Sequence, residues 1–94
     1  MRIISKKCIR EAKRKFPGAS SSLDGWHQLI SKNTFKSYAE LKRTFSSVDR
    51  VKELYVFDIG GNKIRLIASI HFNRQCVYIR NILNHKEYDK GLWK

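Results

Sequence analysis

Between residues 51 and 83 apolar side chains alternate with polar ones around a Gly60-Gly61 step and a second polar break at 73–76. Antiparallel hairpins satisfy that pattern and helices do not. Strands are predicted over 51–59, 63–72 and 76–83. Gly60-Gly61 reads as a two-residue hairpin loop, because the turns that match strand twist need residues at ease with positive φ. Ile59 then pairs with Asn62, Phe57 faces Ile64 and Tyr55 faces Leu66. Asp58 opposes Lys63, and Val56 opposes Arg65. Opposed Cβ atoms sit about 4.5–5.5 Å apart, so an Asp58–Lys63 pair would help fix the register.

Pairing Phe72 with Val77 across a four-residue loop extends the pattern. It collects Ile64, Leu66, Ala68, Ile70, Phe72, Val77, Ile79 and Leu83 on one face, which needs a helical cover. The opposite face carries Arg65, Ile67, Ser69, His71, Tyr78, Arg80 and Ile82. A one-residue slip would drive Arg80 into the core at high cost. Both strand arginines are therefore expected together on the face away from the helices, where they make a candidate anion site. The competing reading has Arg65 or Arg80 simply paired with Asp58, Glu53 or a terminal carboxylate. Under this register His71 and Cys76 fall on different faces, which argues against a Cys–His dyad.

The first half supplies the cover. Residues 1–5 are apolar enough for an edge strand. In 6–16, Ile9, Ala12 and Phe16 recur at helical spacing, and Pro17-Gly18 stops the helix. Leu23, Trp26, His27 and Ile30 form a second stripe, with His27 at the core edge and Ser21 and Asp24 in capping-box spacing. Ser37 and Glu40 make a cleaner box ahead of Leu41 and Phe45. The fold class is thus α+β, a small antiparallel sheet with N-terminal helices on one face and a short C-terminal helical segment. Residues 1–94 are expected to form a single domain, since 94 residues suffice for one core and not for two.

Charge narrows the partners. Twenty Lys and Arg against eight Asp and Glu give a net charge of +12. Nucleic acid is the usual neutraliser of such a surface. Eleven cations and three acids fall in residues 1–47, against nine and five in 48–94, so the helical half is the more basic. Arg10 and Arg14 on the first helix are candidate RNA contacts; the bland alternative is a solvated face. No apolar run is long enough for a membrane span, and no signal peptide is recognised, which points to the cytoplasm. Cys8, Cys76 and the three histidines show no metal-ligand spacing, so neither a metal nor a cofactor is expected.

Cutting RNA without a metal needs a base for the 2′-hydroxyl, a cation for charge building on the phosphate, and an acid for the leaving 5′-oxygen. Imidazole titrates near neutrality and serves either proton role. Guanidinium grips phosphate through paired hydrogen bonds, and a phenol donates a proton or stacks on a base. His85 and Tyr88 stand one helical turn apart, directly after the strand that carries Arg80. Lys63 and Lys86 add nearby charge. The alternative has Tyr88 and Trp93 packing the C-terminal turn onto the sheet while His85 caps it. A non-catalytic module that covers RNA or ribosome with the same basic face is the rival at the level of function.

Two segments carry a resemblance. The run from Tyr55 through Gly60-Gly61-Asn62-Lys63-Ile64-Arg65 to Ala68, and the run from Val77 through Arg80 to His85-Lys86-Glu87-Tyr88-Asp89, resemble the HigB-type toxins of bacterial type II toxin–antitoxin systems. The resemblance implies a compact RelE-like fold and an endoribonuclease that cuts translated mRNA in the ribosome. It also implies silencing by a HigA-type antitoxin with a helix-turn-helix domain, through which alone the toxin would meet DNA. Arg65, Arg80, His85 and Tyr88 match the family's arginines and its His-x-x-Tyr, and are the candidate catalytic set.

Overall fold

The computed structural model describes residues 1–4, 6–61 and 63–94. Five strands form one sheet in the order β1-β5-β4-β3-β2: β1 Arg2–Ile4, β2 Asp49–Val51, β3 Leu54–Ile59, β4 Ile64–His71 and β5 Cys76–Asn84. Helices α1 Lys6–Lys15, α2 Ser20–Lys32 and α3 Tyr38–Thr44 precede the hairpins, and α4 His85–Asp89 follows β5 directly. This is the expected α+β architecture. The sheet is not wholly antiparallel as expected: among the described residues the edge strand β1 pairs with β5 in parallel.

The helices form where the periodicity places them. Ile9 and Ala12 of α1 are buried while Lys6, Arg10 and Arg14 stay in water. Pro17 cannot continue the ladder, and a 3₁₀ turn, Pro17–Ala19, leads into α2. Leu23, Trp26 and Ile30 are buried against the sheet, Trp26 meeting Phe57 edge to face with ring centroids 5.4 Å apart. His27 lies half-buried beside them. The Ser21–Asp24 box does not form. Helix α2 opens at Ser20 with Ala19 as an N-cap that makes no side-chain bond, and Asp24 accepts from Lys13 Nζ at 2.8 Å. Ser37 does cap α3, accepting from the Glu40 N–H at 3.4 Å. The Glu40 carboxylate takes the Lys36 N–H instead of that of Ser37.

The strand expected over 51–59 is two strands. β2 and β3 join at Lys52-Glu53, with Val51 opposite Leu54 and Lys52 at φ 57°. No glycine or asparagine marks this turn, so the alternation runs through it unbroken. The Gly60-Gly61 reversal is present, with both glycines at positive φ (64° and 68°). Its loop is longer than two residues, because Ile59 pairs with Ile64. Asn62, the expected partner of Ile59, lies outside the described residues. A shift of two keeps every side chain on its face and changes every pair. Asp58 therefore opposes Arg65 rather than Lys63, and Val56 opposes Ile67 rather than Arg65.

The second hairpin shifts in the same way, Ile70 opposing Val77. His71 and Cys76 are direct cross-strand partners on one face, which corrects the expectation of different faces: Cys76 stands two residues from Tyr78 and shares its side, and the His71 ring packs edge-on against Tyr78 at 5.3 Å. Further along, Ala68 pairs with Ile79 but Ile67 pairs with Asn81, so Arg80 is the extra residue of a β-bulge. Beyond the bulge the parity of β5 reverses. Ile82 opposes Leu66 and packs on the core, while Leu83 opposes Arg65 on the other face, the reverse of the expected placement.

The main core lies between β3–β5 and the N-terminal helices, with Leu23, Leu66 and Ala68 fully buried. The other face is not bare, contrary to the expectation of a helix-free surface. Val56 and Ile67 are buried there, and α4 packs on β4 and β5 with Tyr88 against Arg65.

Candidate active site

Arg65 is the only buried polar or charged residue among the described residues, at 8% exposure. Its Nε lies 3.0 Å from Asp58 Oδ1, directly across the β3–β4 pair, and its guanidinium carbon lies 5.5 Å from the Tyr88 ring centroid. A buried cation persists only with such compensation, here a carboxylate on one strand and the negative face of an aromatic ring. Tyr88 stacks in turn on Trp93, centroids 5.0 Å apart and planes 13° apart, and the Trp93 indole N–H donates to the Tyr88 carbonyl at 2.9 Å. Asp58, Arg65, Tyr88 and Trp93 form one continuous line of contacts. The packing role foreseen for Tyr88 and Trp93 is therefore real, and it is also what fixes Arg65.

β5 passes into α4 without a loop, and the cap is Asn84 rather than His85. The Asn84 side chain accepts from the Glu87 N–H at 2.8 Å, and the Glu87 carboxylate accepts from the Asn84 N–H at 3.1 Å. The Asn84 N–H holds the Glu87 carboxyl below the ordinary glutamate range; partial burial opposes the shift, and Lys15 and Lys90 reinforce it. Lys15 Nζ reaches Glu87 Oε2 at 3.4 Å, which ties α1 to α4. Exposed at the start of α4, His85 has Nε2 3.6 Å from Asp89 Oδ2.

The structure thus brings Arg65 and Tyr88 into direct contact and sets His85 one turn from Tyr88 on the same short helix. Arg80 is exposed on the bulge, where it lines one cleft with Trp93 and another with Glu11 and Lys15 of α1. Lys86 is exposed on α4. The remaining cations lie apart. Lys63 Nζ donates to the Gly18 carbonyl at 3.1 Å, toward the helical side. Arg10 borders a groove between α1 and α2, and Arg14 is exposed on α1. Sequence reasoning missed Asp58 as the directly opposed partner of Arg65, because the register was off by two. It also missed the Asn84–Glu87 box, whose Asn-x-x-Glu signal is plain.

Residues 19–91 match the family model of the HigB toxin, described as the RelE-like toxic component of a toxin–antitoxin system. The chain belongs to the HigB toxin family. An mRNA interferase toxin HigB of Escherichia coli strain K12 is 39% identical over 92 residues, 95% of this chain and 88% of the relative. An mRNA interferase HigB of Shigella flexneri shows the same identity and coverage. A third, from Escherichia coli O6:H1, is 37% identical over 93 residues, 96% of this chain and 90% of that protein. The HigB family match takes in Asp58, Arg65, Arg80, Asn84, His85 and Tyr88 but stops two residues before Trp93. No helix of the described residues is long and apolar enough to cross a membrane.

Proposed function

We propose that this chain is an mRNA interferase, acting as a single toxin domain over residues 1–94. In this proposal it cuts translated message in the ribosome, in the cytoplasm, and is held in check by a HigA-type helix-turn-helix antitoxin. One observation carries the reading: a guanidinium buried in the sheet, held at 3.0 Å by Asp58 and faced by the ring of Tyr88, at the foot of the helix that starts with His85. A cation fixed in advance stabilises charge that builds on a phosphate without reorganising, and a low-dielectric setting enlarges the effect.

The roles follow from exposure. Arg80, in water on its bulge, grips the phosphate first. Arg65 supplies charge from within and fixes Tyr88, which stacks on a base or gives a proton. His85 is the general acid or base. Its imidazole exchanges a proton with the 2′-hydroxyl or with the departing 5′-oxygen. The 2′-oxygen attacks phosphorus, the P–O5′ bond breaks, and the products are a 2′,3′-cyclic phosphate and a 5′-hydroxyl. No metal or other cofactor enters this scheme. Lys63, Lys86, Arg10 and Arg14 guide the RNA or the ribosome.

Induction of the protein followed by primer extension on translated messages is expected to reveal new RNA ends. Arg80→Ala and His85→Ala are each expected to reduce cutting by roughly 100-fold or more while leaving the circular dichroism spectrum unchanged. Full cutting by both variants would remove the assigned site. RNA binding with no new ends would establish the non-catalytic binding module in place of the enzyme.

A further inference from the structure

We propose that Lys52, Arg80, Trp93 and Lys94 form a subsite for one nucleotide of single-stranded RNA flanking the cleavage point, its base against the Trp93 indole and its phosphate among the three cations. The proposal rests on the mRNA-cleavage reading above and extends the assigned set, through Arg80, to Lys52, Trp93 and Lys94 outside it. A cleft of about 360 Å³ is lined by Lys52, Glu53, Leu54, Arg80, Trp93 and Lys94. Three cations face a single acid there, around an aromatic wall. That combination suits a nucleotide, because every base offers a π-face to an aromatic ring and every phosphate draws cations.

Three separate elements converge on the cleft, and each departs from regular geometry near its contributing residue. Lys52 occupies a tight β2–β3 turn at φ 57°, a conformation that such turns ordinarily give to glycine, asparagine or aspartate. Lys52 lines the cleft from this strained position, and local backbone strain of this kind clusters at binding sites. Arg80 is the extra residue of the β5 bulge, a device that re-aims a side chain. Gly91, at φ 70°, turns the chain after α4 and returns Trp93 to the Tyr88 ring. Lys94 Nζ already lies 5.8 Å from the indole centroid, so a cation reaches the ring. Because Trp93 also stacks on Tyr88, a base placed on it continues the line that begins at Asp58 and Arg65.

The test uses the full chain carrying Trp26→Phe, which leaves Trp93 as the single tryptophan, titrated with a hexaribonucleotide made uncuttable by 2′-O-methyl groups. Trp93 fluorescence is expected to fall on binding, and the same oligomer with abasic residues is expected to bind without quenching. Trp93→Ala should weaken binding by roughly 5- to 100-fold, the usual worth of one stacked base. Trp93→Phe, which keeps a ring against Tyr88, should retain most of the affinity. The sharpest variant is Lys52→Gly. Glycine suits the turn, so thermal stability should rise while RNA affinity falls several-fold and the salt slope shrinks by about 0.7. A Lys52→Gly protein that binds RNA as tightly as its parent, or bound RNA that leaves the indole unquenched, overturns the subsite. If message is cut while both those results appear, only the subsite fails. If the indole is quenched and Lys52→Gly weakens binding but no message is ever cut, the subsite stands and the cleavage reading falls.

Discussion

Arg65 has a carboxylate across the strand and an aromatic ring beside it, which is why a full charge persists at 8% exposure. Surface ion pairs contribute under about 1 kcal/mol because water screens them and long side chains lose freedom. Here the cation is desolvated, so losing its partner strands a buried charge. Asp58→Ala is expected to destabilise the protein by about 1–3 kcal/mol, read from the urea midpoint at constant slope. A loss within about 0.3 kcal/mol would show that Asp58 does not hold the guanidinium. The pair was half legible beforehand. Asp58 stood among the partners weighed for Arg65, but the expected register gave it to Lys63, and nothing local separates registers that differ by two.

At the scale of the element, α4 is too short to hold itself in water, since five residues barely exceed a nucleus. The Asn84–Glu87 box, the Lys15–Glu87 pair and the Tyr88–Trp93 stack hold it. Glu87 takes part in two of these, and its carboxyl is held below the ordinary range chiefly by the Asn84 N–H. The folded state thus favours the ionised form. The stabilisation is complete above the ordinary glutamate range and is lost as pH falls through that range and on through the lowered value of Glu87. Amide exchange across 85–89, followed by NMR from neutral pH downward, should accelerate over that acid window in the native protein. In Glu87→Gln it should already be faster at neutral pH and should show no such acid step. Equal acid steps in both proteins would assign the loosening to another group. The box was legible as Asn-x-x-Glu, but His85 drew attention for its chemistry rather than for its position in the helix.

For the whole molecule, +12 over 94 residues makes charge the dominant force expected between this chain and its proposed RNA substrate. Cations occur both on α1, at Arg10 and Arg14, and around the cleft at Lys52, Arg80 and Lys94. A strand that neutralises about five of them should bind with a slope of roughly −3.5 in log K against log salt, by the single-strand value per phosphate. Filter binding between 50 and 200 mM salt, a range set by the usual steepness of such curves, checks it. A slope near zero would mean that stacking alone carries the affinity and that the basic surface faces another partner.

The amino-acid sequence alone determined which side chains share a face in the first hairpin, where the helices start and stop along α1 and α3, and the basic character of the surface. These depend on periods of two and 3.6 residues and on local caps, all properties of a few neighbouring residues. Tertiary structure decided the rest. A shift of two residues preserves every face, so only the packed sheet chose Asp58 over Lys63 as the partner of Arg65. The Arg80 bulge, the Lys52-Glu53 turn and the return of Trp93 onto Tyr88 also carry no periodic signal. Each is held by contacts between residues far apart in the chain or set by closure of the sheet. The four candidates read from sequence therefore acquired their buried guanidinium, their exposed cation and their stacked aromatic pair only when the chain closed on itself.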